Sequence, residues 1–158
     1  MIAHVLSEPE IAALLARLGA RPRRITSDSR VVEPGVAFAA YPGAAQDGRK
    51  FIADAVERGA PAVLWEAAKF EWDASISVPN QPVEGLKQNL GPIADFIYGS
   101  PSQALWTIGV TGTNGKTSCT HWIAQAFERF GRGAAVIGTL GSGFIGALAG
   151  YFAAKSGT

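Results

Sequence analysis

The chain has one cysteine, Cys119, so no intrachain disulfide forms. This is compatible with a reducing cytoplasm. Charge is also scarce: charged residues make up 17% of the chain and the net charge is +1. That balance gives no electrostatic case for a nucleic acid or an anionic membrane surface as partner. Long apolar runs are missing. The most apolar tail stretch, Phe144–Ala154, has 11 residues, against roughly 20 for a spanning helix. Glu8, Pro9 and Glu10 stand where a secretory signal would be basic and then apolar. There is no internal repeat and no heptad pattern. What remains is a 158-residue chain that is 47% hydrophobic. It can bury one good core, or one domain plus part of another.

Ser7 and Glu10 form an S-x-x-E capping box with Pro9 in the first turn. Ile11, Leu14, Leu15 and Leu18 then fall on one helical face, and Gly19 is placed to end the helix. Arg24–Ser29 reads as a short strand, Pro34-Gly35 as a turn, Val36–Tyr41 as a second strand and Gly43–Gly48 as a small polar loop. Phe51–Arg58 is expected to be a helix stopped by Gly59, and Pro61–Trp65 a buried strand. Ser75–Val78 is a further candidate strand. Val83–Tyr98 reads as a helix that Gly91-Pro92 would kink. Gly99–Ser102 has the composition of a linker. Beyond it, Leu105–Val110 reads as a strand, Lys116–Phe130 as a helix and Ala134–Thr139 as a strand. Cys119, Ile123, Ala126, Phe127 and Phe130 share the helix face expected to pack.

Between that strand and helix lies T-G-T-N-G-K-T, residues 111–117. Strand, glycine-rich loop, helix is the setting in which a loop holds nucleotide phosphates. Backbone N–H groups of Gly112, Thr113, Asn114, Gly115, Lys116 and Thr117 would converge on a polyphosphate, with Ser118 next in line. Lys116 is placed to reach the β- and γ-phosphates, and the Thr117 hydroxyl to ligate Mg²⁺ bridging the same oxygens. Lys116 and Thr117 are therefore the candidate catalytic residues, and ATP and Mg²⁺ the expected cofactors. The pattern G-x-x-x-x-G-K-[ST] asks for glycine at position 110, which is Val110 here. This is a variant loop, and its alternative is a glycine-rich turn with a solvated lysine.

G-T-N-G-K-T at 112–117 resembles the ATP loop of the Mur ligases, the amide-forming enzymes of bacterial cell-wall synthesis. Folylpolyglutamate and cyanophycin synthetases share related loops. The first half of the chain favours the Mur ligases: S-D-S-R at 27–30, Val32, Pro34-Gly35, Phe38, Ala40, Gly43, Asp47-Gly48, Phe51-Ile52, Ala55, Gly59-Ala60 and Ala62-Val63. This series resembles their uridine-nucleotide-binding domain. It resembles in particular that of the members adding a third residue, commonly meso-diaminopimelate or L-lysine, to UDP-N-acetylmuramoyl-L-alanyl-D-glutamate. G-T-L-G at 138–141 points the same way. The resemblance runs from about residue 24 to residue 146.

The resemblance implies an α/β fold: a small mixed α/β substrate domain over residues 1–100, then the beginning of a P-loop type ATP-binding domain over 105–158. It implies ATP-dependent ligation through an acyl phosphate, in the cytoplasm, by a monomer, with the UDP-muramoyl dipeptide and an amino acid as substrates. Ser27, Ser29, Ala44, Ala45 and Gln46 would contact the uridine-diphosphate portion. Read from the residues alone, the favoured reading of Ser27 and Ser29 is ordinary polar turn residues. Arg30 has two readings, phosphate contact or an ion pair with Asp28 or Asp47.

His4 and His121 lack neighbours at metal-ligand spacing and read as surface or packing residues. Cys119 reads as a small packed side chain, and Trp65, Trp106 and Trp122 as core or interface residues. The family's later metal-binding acid, carbamylated lysine, histidine and amino-acid-binding domain have no counterpart in this sequence. Leu148–Thr158, L-A-G-Y-F-A-A-K-S-G-T, does not align with the threonine-rich stretch expected there. The expectation is an N-terminal piece without turnover of its own. The alternatives are a non-catalytic uridine-nucleotide-binding module or a piece of another Mur ligase, such as the one adding D-alanyl-D-alanine.

Overall fold

In the computed structural model, residues 4–44 and 46–145 are described. The chain divides into two compact units, Met1–Leu105 and Trp106–Thr158. In the first unit the order is α1 (Glu8–Leu18), β1 (Arg24–Thr26), β2 (Val36–Ala40), α2 (Ile52–Glu57), β3 (Val63–Glu66), β4 (Asn80–Val83) and α3 (Leu86–Ile97). The second unit holds α4 (Lys116–Arg129), β5 (Ala135–Gly138) and β6 (Gly141–Phe144).

The first unit is a parallel four-stranded sheet in the order β1-β2-β3-β4. All five residues of β2 and all four of β3 are buried, because helices or turns cover both faces. Alternate residues point to opposite faces and build two cores. Ala37, Ala39 and Leu64 pack with Ile11, Leu14 and Leu18 of α1 and Leu86 and Ile93 of α3. Phe38, Ala40, Val63 and Trp65 pack with Ile52 and Ala55 of α2.

α1 forms as its caps dictate. The Ser7 amide and hydroxyl both donate to a Glu10 carboxylate oxygen, at 2.8 and 2.6 Å, and Gly19 ends the helix at φ 69°. Ile11, Leu14 and Leu18 are buried, with Leu15 partly so. α2 is shorter than the sequence suggested, because Gly48–Phe51 winds as a 3-10 turn ahead of it.

Two expectations shift here. Ser75–Val78 is not a strand; the fourth strand is Asn80–Val83, paired in register with Val63–Glu66. Pro82 disguised it, yet proline is tolerated because β4 is an edge strand. α3 starts at Leu86 rather than Val83, because Val83 is held opposite Glu66 in the sheet. The Glu66 carboxylate then caps the helix, accepting from the Gly85 and Leu86 amides at 3.2 and 2.8 Å. Pro92 lies inside α3. The carbonyl it leaves without a helical partner belongs to the exposed Gln88, which is open to solvent. Asn89, fully buried, accepts from the Leu6 amide at 2.8 Å and donates to the His4 carbonyl at 3.1 Å, so the N-terminal segment is pinned to α3.

The second unit departs further. Leu105–Val110 is not a strand. A parallel strand exists through its ladder, and no described residue pairs with this segment. β5 instead pairs antiparallel with β6, Ala135 opposite Phe144. α4 has the expected extent but not the expected face. Ala124 is its one buried residue among those described, with Thr117, Thr120, His121, Ile123 and Phe127 half-buried. Cys119, Ala126 and Phe130, expected to pack, are exposed. Trp122 and Trp106 are also exposed, at 68% and 96%, whereas Trp65 is buried at 8%.

Candidate functional site

The glycine-rich loop at 111–117 leads into α4. Gly115 is its N-cap at φ 77°, and Gly112 lies at φ 142°. Both values favour glycine, so the spacing of these two glycines shapes the loop. α4 has no side-chain cap at its N-terminus. Its first amides therefore remain available to an anion, and the helix dipole adds to the attraction.

The Lys116 ammonium folds back and donates to the carbonyls of Gly112 and Thr113. Neutral carbonyls are weaker partners for an ammonium than phosphate oxygens are, so an incoming anion takes the charge from them. Thr117 and Lys116 line a groove of about 140 Å³. Val110, Thr120 and His121 join them on one side, and Val136 through Gly141 on the other. Thr117, Thr120 and His121 follow helical spacing along one face of α4. Thr113, Asn114 and Ser118 are exposed around the loop. His121, read from sequence as surface or packing, is half-buried and lines this groove. Cys119, read as packed, is exposed.

A second site candidate lies at the carboxyl edge of the parallel sheet, where α/β folds commonly bind ligands. Ser27 follows β1 directly, and the turn carrying Ala44 and Gln46 follows the neighbouring β2. Ser27, Ala44 and Gln46 are exposed there; Ala45 lies outside the described residues. Ser29 differs: it is buried, and its hydroxyl beside Asp54 of α2 comes first among the causes that lower the Asp54 pKa, ahead of the Arg58 guanidinium. Arg30 pairs with Asp28, Nη2 to Oδ2 at 2.7 Å, and this holds the Asp28 carboxyl down at about 2.

The turn after β2 is tightly built. Pro42 bridges to Asp47, the Gly43 amide donates to the Gln46 carbonyl at 2.8 Å, and the Gly48 amide to the Tyr41 carbonyl at 2.9 Å. A Cβ on Gly48 would stand 2.8 Å from the Tyr41 oxygen. Arg49, which the sequence reading passed over, holds the Asp47 carboxylate through Nε and Nη2, at 3.0 and 2.8 Å. That contact leads the causes lowering the Asp47 pKa. The signal was present in the sequence as Asp47-Gly48-Arg49, an acid and a guanidinium two residues apart.

No group of three His, Cys, Asp or Glu side chains that could hold a metal occurs among the described residues. No helix among them is long and apolar enough to cross a membrane.

Residues 23–98 match the Mur ligase family catalytic domain, and residues 110–155 match the Mur ligase middle domain. The chain is 46% identical over 141 residues to the UDP-N-acetylmuramoyl-L-alanyl-D-glutamate–2,6-diaminopimelate ligase of Nitrosomonas europaea, covering 89% of this chain and 27% of that protein. It is 50% identical over 137 residues to the ligase of the same name from Chromobacterium violaceum, covering 86% of this chain and 28% of that protein. It thus spans little more than a quarter of the length of these relatives. Among solved structures, a UDP-N-acetylmuramoyl-L-alanyl-D-glutamate–2,6-diaminopimelate ligase aligns with TM-score 0.56 and 27% identity, over 78% of this chain and 25% of that one. The MurF ligase of Thermotoga maritima in complex with ADP aligns with TM-score 0.53 and 27% identity, over 68% of this chain and 23% of that one. With two Mur ligase domains matched in sequence over most of its length, and solved Mur ligases aligning with its α/β fold, the chain belongs to the Mur ligase family.

Proposed function

We propose that this chain forms the uridine-nucleotide-binding and ATP-loop portion of an ATP-dependent amide ligase of peptidoglycan precursor synthesis. The reaction joins the amine of 2,6-diaminopimelate to the D-glutamyl carboxylate of UDP-N-acetylmuramoyl-L-alanyl-D-glutamate. Residues 1–100 are the substrate-binding domain and residues 105–158 belong to the central ATP-binding domain. The reading has the enzyme cytoplasmic and monomeric. The observation that carries it is the loop ahead of α4, with Gly112 and Gly115 at positive φ and Lys116 folded over its carbonyls. The names of the relatives supply the substrate class.

The amides of residues 112–117 cradle the β- and γ-phosphates, with Ser118 at the loop's edge. Lys116 moves from the Gly112 and Thr113 carbonyls onto the phosphate oxygens and balances charge as the γ-phosphoryl passes to the carboxylate. The amine then attacks the acyl phosphate, the amide bond forms and phosphate leaves with the bonding pair. The Thr117 hydroxyl, a hard oxygen at the groove, fits Mg²⁺, which takes most of its ligands from phosphate and water. When bound, Mg²⁺ would supply neutralisation of the charge on the phosphates. Ser27, Ala44 and Gln46, with Ala45, receive the uridine diphosphate, while Ser29 stays buried beside Asp54.

Calorimetric titration of the 158-residue chain with ATP–Mg²⁺ and with UDP-N-acetylmuramoyl-L-alanyl-D-glutamate tests this. Saturable binding of both, with no tripeptide product when diaminopimelate is added, is expected. Binding of the uridine nucleotide alone would favour a non-catalytic module, and binding of neither would overturn the reading.

A further inference from the structure

Ala44 and Gln46 are exposed and contribute nothing to either core. Yet the turn that carries them is anchored by a guanidinium whose side chain is only 10% exposed. Burying that charge is costly unless its donors are all engaged. Arg49 engages all three of its nitrogens, across two chain segments. Nε and Nη2 hold Asp47, and Nη1 donates to the Ala68 carbonyl at 2.7 Å and the Glu66 carbonyl at 3.3 Å. The guanidinium also lies over the Phe70 ring, 4.9 Å from its centroid. Asp47 in turn accepts from the Arg49 amide at 3.0 Å and bridges back to Pro42.

We propose that Arg49 is a positioning residue for uridine-nucleotide binding: it clamps the turn after β2 onto the segment after β3, and so fixes Ala44 and Gln46 before the ligand arrives. The inference rests on the proposed role of that turn. The expense of a buried guanidinium fits a loop that must be ordered in advance, since pre-ordering removes a cost from binding. Lysine cannot substitute. Its ammonium is a single point and cannot hold a carboxylate through two nitrogens while reaching two carbonyls and stacking on a ring.

The test compares wild type, Arg49→Lys and Arg49→Met. Amide exchange is followed at Gly43 and Gly48 in the turn and at Phe38 and Val63 in the sheet, all four of which donate to backbone carbonyls. UDP-N-acetylmuramoyl dipeptide and ATP are titrated in parallel. Arg49→Lys is expected to speed exchange at Gly43 and Gly48 at least ten-fold and to weaken the uridine nucleotide at least ten-fold. Phe38, Val63 and ATP affinity stay unchanged. If Arg49→Met does not fold, Arg49→Lys alone decides. Retained turn protection and retained affinity in Arg49→Lys would overturn the proposal, as would a loss of affinity that only tracks loss of protection at Phe38 and Val63. If the wild-type turn is protected, Arg49→Lys frees it, and neither protein binds uridine nucleotide, then the nucleotide reading of the turn fails while the clamp stands.

Discussion

Single side chains decide the loop chemistry. Lys116→Met removes the only loop side chain able to carry positive charge to the phosphates. Hydrogen bonds to charged groups contribute about 1.5–3 kcal/mol, so ATP affinity is expected to fall roughly ten- to hundred-fold by calorimetry. The melting temperature should hold, since among the described residues Lys116 hydrogen-bonds only within its own loop and is exposed. Gly48→Ala acts by crowding: its Cβ meets the Tyr41 carbonyl oxygen at 2.8 Å and the Tyr41 nitrogen at 3.3 Å. Overpacking of this kind costs about 1–3 kcal/mol, read as a lowered denaturation midpoint. Glu10 gives a pH signature. The Ser7 hydroxyl, then the Ser7 amide, then His4 hold its pKa at about 2, below the ordinary 4.5. A depressed carboxyl stabilises the folded state fully above its ordinary pKa and loses that contribution as pH falls toward the folded value. α1 should therefore fray between about pH 4.5 and pH 2 by amide chemical shifts, and Glu10→Gln should flatten that dependence.

At the scale of elements, what sequence could reveal followed what was local. α1 was legible because its cap, apolar stripe and terminal glycine all sit within Ser7–Gly19. The glycine-rich loop at 111–117, with Gly112 and Gly115 at positive φ ahead of α4, was legible for the same reason. β4 was hidden behind Pro82, and the start of α3 depended on Glu66, which is 20 residues from the Leu86 amide it accepts. The strand expected at Leu105–Val110 failed because pairing is a property of neighbours, not of a segment. The Arg49 clamp joins Asp47 to Glu66 and Ala68, a juxtaposition that parallel β2–β3 pairing creates and periodicity does not encode. α3 offers a check on the packing account. Ile93 is fully buried between the helix and the sheet, so Ile93→Ala should cost about 2–5 kcal/mol in chemical denaturation.

At the scale of the whole chain, the two units differ in what they bury. The first holds two cores on the faces of one sheet. In the second, Ala124 and Val136 are the buried apolar residues among those described. Hydrogen exchange should accordingly find strong protection in β2, β3 and α3 and weaker protection in α4 and β5; equal protection in both units would contradict this. On the proposed reading, one chain carries a uridine-nucleotide turn in its first unit and an ATP loop in its second. The most direct test is titration of the 158-residue chain with UDP-N-acetylmuramoyl-L-alanyl-D-glutamate, in wild type and in Lys116→Met. Saturable one-to-one binding that Lys116→Met leaves intact is predicted. Absence of binding to a folded wild-type chain, or binding abolished by Lys116→Met, would contradict it.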